Sequence, residues 1–129
     1  MNSKNIIRKS TRVPLNLNVI VNYLDKEIKA ITHDISIDGM FIEPIEKLCV
    51  NSLIHCYIFI PEREEPISIL AKVLYDGIFT YTGKESFYGV GLNFMQITDE
   101  SRAYLKDFLN KEFYHSKKYR IPRKISNGA

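Results

Sequence analysis

Arg8 and Arg12 stand four residues apart with Lys9 between them, and further along the chain Asp34, Ser36 and Gly39 fall within six positions. Arginine is charged at every physiological pH and presents a planar fork of donors that fits phosphate oxygens or the O6/N7 edge of guanine. A carboxylate supplies what arginine lacks, an acceptor for the N1–H and N2 amino group of the same base. A glycine lets the chain turn through positive φ or lets a ligand come close to the backbone. Donors for phosphate, donors for one edge of guanine and an acceptor for another suit a guanine nucleotide.

Those groups are useful only if the fold brings them together, and the hydropathy pattern says that it does. Leu15, Leu17, Val19 and Val21 alternate with polar residues, the period of a half-buried strand over 14–21. Asn22 to Lys26 reads as a hairpin turn, and Ile28, Ala30 and Thr32 continue on a second strand that ends at Asp34. An antiparallel pair joined by a short turn returns its outer ends to each other. Arg12 opens the first strand and Asp34 closes the second, so a separation of 22 residues becomes adjacency. A plain Arg12–Asp34 ion pair is the other use of that proximity.

Gly39 opens a third strand through Phe41 and Ile42, and residues 53–60 and 67–75 are strand-like, divided by Pro61 to Pro66. Tyr88, Val90, Leu92 and Phe94 alternate in a further strand, where Gly89 and Gly91 leave the opposite face bare. Five or six short antiparallel strands at this spacing predict a small closed barrel. The period then lengthens. Thr98 caps a helix whose first turn holds Asp99 and Glu100, and Tyr104, Leu105, Phe108, Leu109 and Phe113 form a stripe that packs on the barrel end. Beyond His115 the stripe is lost and Pro122 argues against a longer helix, so the sequence predicts a mobile tail.

Composition narrows the class. At 129 residues, 45% of them hydrophobic, the chain can bury one core of its own. It has no apolar run of membrane-spanning length and its first dozen residues lack the apolar stretch of a signal peptide, so a cytoplasmic protein is expected. Cys49 and Cys56 have neither disulfide-framework nor zinc-site spacing. The net charge of +3 is unevenly placed: residues 1–12 carry four Lys/Arg and 115–129 five, with no acid in either. Residues 13–114 hold nine Lys/Arg against fifteen Asp/Glu, a balance of −6. A nucleic-acid binder spreads basic groups over its folded face; an acidic body with basic ends fits a small anionic ligand better. His33, His55 and His115 are scattered, with no metal spacing and no positioned nucleophile, so neither an enzyme nor a metal site is expected. His33, beside Asp34, reads as a surface residue.

R-x-x-x-R followed by D-x-S-x-x-G resembles the PilZ family of bacterial cyclic di-GMP receptors, and both motifs match without a substitution. The segment Tyr88-Gly89-Val90-Gly91-Leu92-Asn93-Phe94 is similar to that family's glycine-punctuated last strand, and the likeness runs from about Arg8 to Phe113. The resemblance implies a mainly β fold, a six-stranded antiparallel PilZ-type β-barrel with a C-terminal α-helix. It also implies cyclic di-GMP as ligand with no further cofactor, bound by Arg8, Arg12, Asp34, Ser36 and Gly39. Lys9 and Tyr75 are weaker candidates; Tyr75 stands where the family often stacks an aromatic on guanine. On this reading residues 1–12 are a flexible basic arm, 13–114 the barrel and helix, and 115–129 the basic tail. The arm orders over the ligand, and a chain this short passes the signal to an effector protein in motility, attachment or exopolysaccharide control. The tail is a solvated end or docks on an acidic partner or membrane surface. Two rivals come from other classes: a PilZ-like interaction adaptor that binds no nucleotide, and an OB-like binder of single-stranded nucleic acid, which the acidic body disfavours.

Overall fold

The alternation at the N-terminal end folds as one ladder in two pieces. In the computed structural model, which describes residues 11–115 and 121–127, β1 (Val13–Pro14) and β2 (Asn18–Tyr23) both pair antiparallel with β3 (Lys26–Ile35). The break between them has a cause in Thr32, which is fully buried. Its hydroxyl accepts from the Leu17 N–H at 2.8 Å and donates to the Leu15 carbonyl at 2.5 Å, standing in for ladder bonds that the kinked backbone cannot make. The turn joining β2 to β3 holds Leu24 and Asp25 at φ 50 and 63, both left-handed, as a two-residue hairpin that follows the strand twist requires.

Four more strands close the barrel: β4 (Gly39–Pro44), β5 (Leu53–Phe59), β6 (Ile67–Thr80) and β7 (Phe87–Gln96). β2 pairs with β5, β5 with β6, β6 with β7, β7 with β4 and β4 with β3, all antiparallel, so the six strands form an unbroken ring. This is the expected six-stranded barrel, and closure removes the open edges that a flat sheet would expose. Its interior is aliphatic: Val19, Val21, Ile28, Ile42, Ile58, Ile69, Val73 and Val90 are all buried.

The helix α1 (Asp99–His115) starts where the sequence places it. The Thr98 hydroxyl accepts from the Ser101 N–H at 3.1 Å, satisfying one donor of the first turn. Leu105 and Leu109 are buried against the barrel, with Tyr104 and Phe108 partly so. Phe113, expected on the same stripe, is 48% exposed. The Arg63 guanidinium lies over the Tyr104 ring, 4.5 Å from its centre, and fastens the β5–β6 loop to the helix.

Of the expected tail, residues 121–127 lie among the described residues and include a segment paired with the barrel. Residues Arg123–Ser126 form β8, antiparallel to β6. The reason lies in β6, whose ladder to β5 ends at Lys72, while the strand itself runs on to Thr80. Its far end therefore presents unpaired backbone groups on that side, and β8 pairs with Ile78, Phe79 and Thr80 there.

Candidate functional site

The hairpin does what the sequence requires of it. Pro14 stands opposite Asp34 and Val13 opposite Ile35, which sets Arg12 beside the end of β3. The Arg12 Nη1 donates to Asp34 Oδ1 at 2.5 Å. Only 4% of the Asp34 side chain is exposed against 38% of Arg12, so a buried carboxylate faces a cation that still reaches solvent. The ion pair that the sequence allowed is thus present, and in this structure one half of the first motif satisfies one member of the second. Arg8 and Lys9 lie outside the described residues.

The Ser36–Gly39 turn is held from inside. The Ser36 N–H donates to the Gly39 carbonyl at 2.8 Å, and the buried Ser36 hydroxyl accepts from the Asp38 N–H at 3.1 Å. Ser36 is therefore a turn-maker here, the plainer of the two roles its type allows. From outside, the turn is tied to two other elements: the Phe94 N–H donates to the Asp38 carbonyl at 2.8 Å, and Arg102 of α1 donates to the Ile37 carbonyl at 3.2 Å. Arg102 also faces the Asp38 carboxylate at 3.5 Å. Gly39 is needed for a reason other than positive φ, which among the described glycines belongs to Gly83. A Cβ on Gly39 would run into the carbonyl oxygen of Leu92 on β7. The close approach at Gly39 is by the protein's own backbone.

Beside this turn, the bare face of β7 is roofed with rings. A Cβ on Gly91 would overlap the Tyr75 ring, and one on Gly89 the Phe41 ring. Tyr75, Phe41 and Phe79 stand next to one another, with Phe41 and Phe79 edge to face at 4.8 Å and Phe41 and Tyr75 stacked at 6.3 Å. Tyr75 is 42% exposed, so its ring is available as a stacking surface. Burial pushes its phenol above the ordinary tyrosine range, an effect that Arg12 opposes and Asp34 adds to, which sets the ring in the field of that ion pair. The aromatic layer continues through His33, stacked on Phe87 at 4.2 Å and bonded through Nδ1 to the Tyr81 hydroxyl and through Nε2 to Glu43. His33 is thus a packed residue with both nitrogens used, not the surface histidine expected.

A single cavity of about 90 Å³ gathers Arg12, Asp34, Phe41, Tyr75, Phe79, Ile121 and Pro122. Arg12, Asp34 and Tyr75 were candidates from the sequence; the other four were not. Tyr75, Gly77 and Phe79 recur with period two on β6; Tyr75 and Gly77 stand opposite Gly91 and Gly89 on β7, and Phe79 reaches the space over Gly89 from the same face, so Phe79 carried a readable signal. Ile121 and Pro122 carried none. Larger hollows lie elsewhere, such as the one of about 380 Å³ between Leu15, Pro61 and the helix, but none of the candidate residues lines it. Among the described residues no cluster of His, Cys, Asp and Glu could hold a metal ion, and no helix is long and apolar enough to cross a membrane.

Comparison with known proteins bears on the fold and the family. A family model described as the PilZ domain matches residues 6–111. No curated protein matches the sequence. Among solved structures, the Bacillus subtilis inhibitor of motility MotI/DgrA is similar over 85% of this chain and 52% of its own, with a TM-score of 0.69 and 20% identity. This chain thus spans about half the length of that protein. The PilZ domain of YcgR from Escherichia coli, solved with c-di-GMP, is similar over 84% of this chain and 92% of its own, with a TM-score of 0.70 and 11% identity.

Proposed function

The chain belongs to the PilZ domain family, a family of cyclic di-GMP receptor domains, and from that premise we propose that it binds cyclic di-GMP between Arg12, Asp34 and the aromatic layer of Tyr75. The observation that carries this reading is the convergence of a guanidinium, a buried carboxylate and a half-exposed ring on one cavity. Each group has one task. Arg12, with Arg8 and Lys9 of the arm, supplies cationic donors to the phosphates and to the O6/N7 edge of guanine. Asp34 accepts from the opposite edge, and Tyr75 gives a face for stacking. Ser36 and Gly39 act by holding the turn that aims Asp34. The structure of the YcgR domain with c-di-GMP supports the choice of ligand, as a likeness of fold.

Binding on this scheme orders the arm. Fixing five to eight backbone residues costs roughly 1–2 kcal/mol each, whereas a hydrogen bond to a charged group contributes about 1.5–3 kcal/mol. Several such bonds are needed, and two arginine forks with a carboxylate can supply them. The ordered arm then offers a new surface to an effector protein, and the signal passes on through that contact. The test is calorimetric titration of cyclic di-GMP against GTP, cyclic GMP and a single-stranded oligonucleotide. Cyclic di-GMP should bind best, and Arg12→Ala should weaken it by about 1.5–3 kcal/mol. Wild-type affinity in the Arg12→Ala protein would reject this pocket as the nucleotide site.

A further inference from the structure

Where the chain's end lies bears directly on that site. Ile121 and Pro122 form part of the wall of the cavity that holds Arg12, Asp34 and Tyr75. With them in place the space is about 90 Å³, well short of the roughly 300–1,000 Å³ of sites that enclose ligands of ordinary size. A dinucleotide that contacts Arg12, Asp34 and Tyr75 together must therefore contend with Ile121 and Pro122 for the same wall. From Pro122 the chain runs directly into β8, and β6 is shaped to receive it. A Cβ on Gly77 would stand 2.7 Å from the Ser126 carbonyl oxygen and closer still to the Lys124 side chain. The atoms nearest that position all belong to β8, so the missing side chain makes room for this strand.

The hold is nevertheless slight. β8 is four residues long, its ladder to β6 slips between Ile78 and Phe79, and every one of its residues is exposed. Ile121 is 76% and Ile125 48% exposed. A strand whose side chains are all exposed contributes little buried surface to hold it, and such elements open at the low end of the range of local stabilities. It is built to dock and easy to release.

We infer that residues Ile121–Ser126 are a displaceable strap over the nucleotide pocket, docked in the ligand-free protein and expelled when cyclic di-GMP binds. The inference rests on the pocket assignment made above. Strap and nucleotide exclude each other, so the docked fraction lowers the apparent affinity in proportion, and by reciprocity the nucleotide weakens docking by the same factor. Release uncovers the backbone edge of β6 at Ile78–Thr80, a row of groups that another extended segment can pair with. It also frees Arg123 and Lys124 from the barrel wall. The nucleotide signal thereby becomes a new edge and a loosened basic segment on one side of the barrel.

Two full-length variants test this. Gly77→Val blocks docking from beneath without altering a residue of the pocket wall, and the double change Ile121→Ser with Pro122→Gly empties the wall itself. Both should bind cyclic di-GMP about threefold or more tightly than the wild type, the factor by which docking reduces the competent fraction. Amide exchange gives a second readout: those amides of Ile78–Thr80 that face β8 should be slower in the free wild type than in Gly77→Val, and should quicken when cyclic di-GMP is added. Unchanged or weaker binding in the double variant would overturn the strap, since its residues would then be a bystander or a supporting wall. Failure of wild type and both variants to bind would instead reject the pocket as a nucleotide site, and the strap with it.

Discussion

At the scale of single residues the site turns on Asp34, which has two suitors. In the free protein its carboxylate accepts from Arg12 at 2.5 Å while 4% of the side chain is exposed; to read guanine it must turn to the base and let the guanidinium serve the ligand. Removing the carboxylate should therefore affect discrimination more than attraction. Asp34→Ala is expected to lower cyclic di-GMP affinity by about tenfold, the worth of a lost bond to a charged group, and to narrow the preference over cyclic di-AMP, whose adenine lacks the donors that Asp34 accepts. Calorimetry with both dinucleotides checks it, and an unaltered ratio between them would remove Asp34 from base reading. The Arg12–Asp34 meeting was legible in the sequence because a hairpin fixes which residues stand opposite each other. The work of Ser36 inside its own turn is local in the same way, since its hydroxyl accepts from the Asp38 N–H two residues on. His33 was misread because its partners Phe87, Tyr81 and Glu43 come from three other parts of the chain.

Between elements, glycines decide how closely strands and rings may approach, and what each one faces predicts what its loss would do. Gly39 faces the Leu92 carbonyl, a backbone atom held in the β4–β7 ladder that cannot swing aside as a side chain can. Gly39→Ala must push the strands apart and should cost about 1–3 kcal/mol of stability, as overpacking does, read from a urea unfolding curve. Gly91 faces the ring of Tyr75, a side chain that can rotate away. Gly91→Ala should therefore leave the unfolding midpoint near that of the wild type and instead reduce cyclic di-GMP affinity by removing the ring from the pocket. The reverse pattern, a stability loss at Gly91 and none at Gly39, would contradict both assignments. The alternation of Tyr88 to Phe94 announced a strand with one bare face; of the rings that cover it, Phe79 continues the period of Tyr75 on β6, whereas Phe41 arrives from β4 with no local signal. Barrel and helix were readable because period two and the Thr98 cap are local; β8 was not, because its formation depends on the unpaired end of a strand more than forty residues earlier.

The molecule as a whole is an acidic body of balance −6 between basic ends, held by an aliphatic core in which a few ionisable groups keep their protons. These groups set how the fold answers to alkali. Burial pushes the Cys56 thiol from 9.0 up to about 12. The Tyr88 phenol rises from 10.0 to about 12, first through burial and then through Asp76, to which its hydroxyl donates at 2.8 Å. In both cases the folded state keeps a proton that the unfolded chain gives up at lower pH. Stability falls with pH wherever the folded state binds the more protons, so these two contributions are intact below about pH 9 and are lost progressively toward pH 12. Urea unfolding should give one stability from neutral pH to about pH 9 and a declining one above it, with Cys56→Ala flattening the earliest part of the decline. The thiols offer a companion measurement. Cys49 is exposed and Cys56 buried, so a thiol reagent near neutral pH should label Cys49 alone in the folded protein and both once it is unfolded. Rapid labelling of two thiols in the native state would mean that the barrel opens far more readily than its closed ring of six strands implies, and the predicted alkaline decline would then lose its cause.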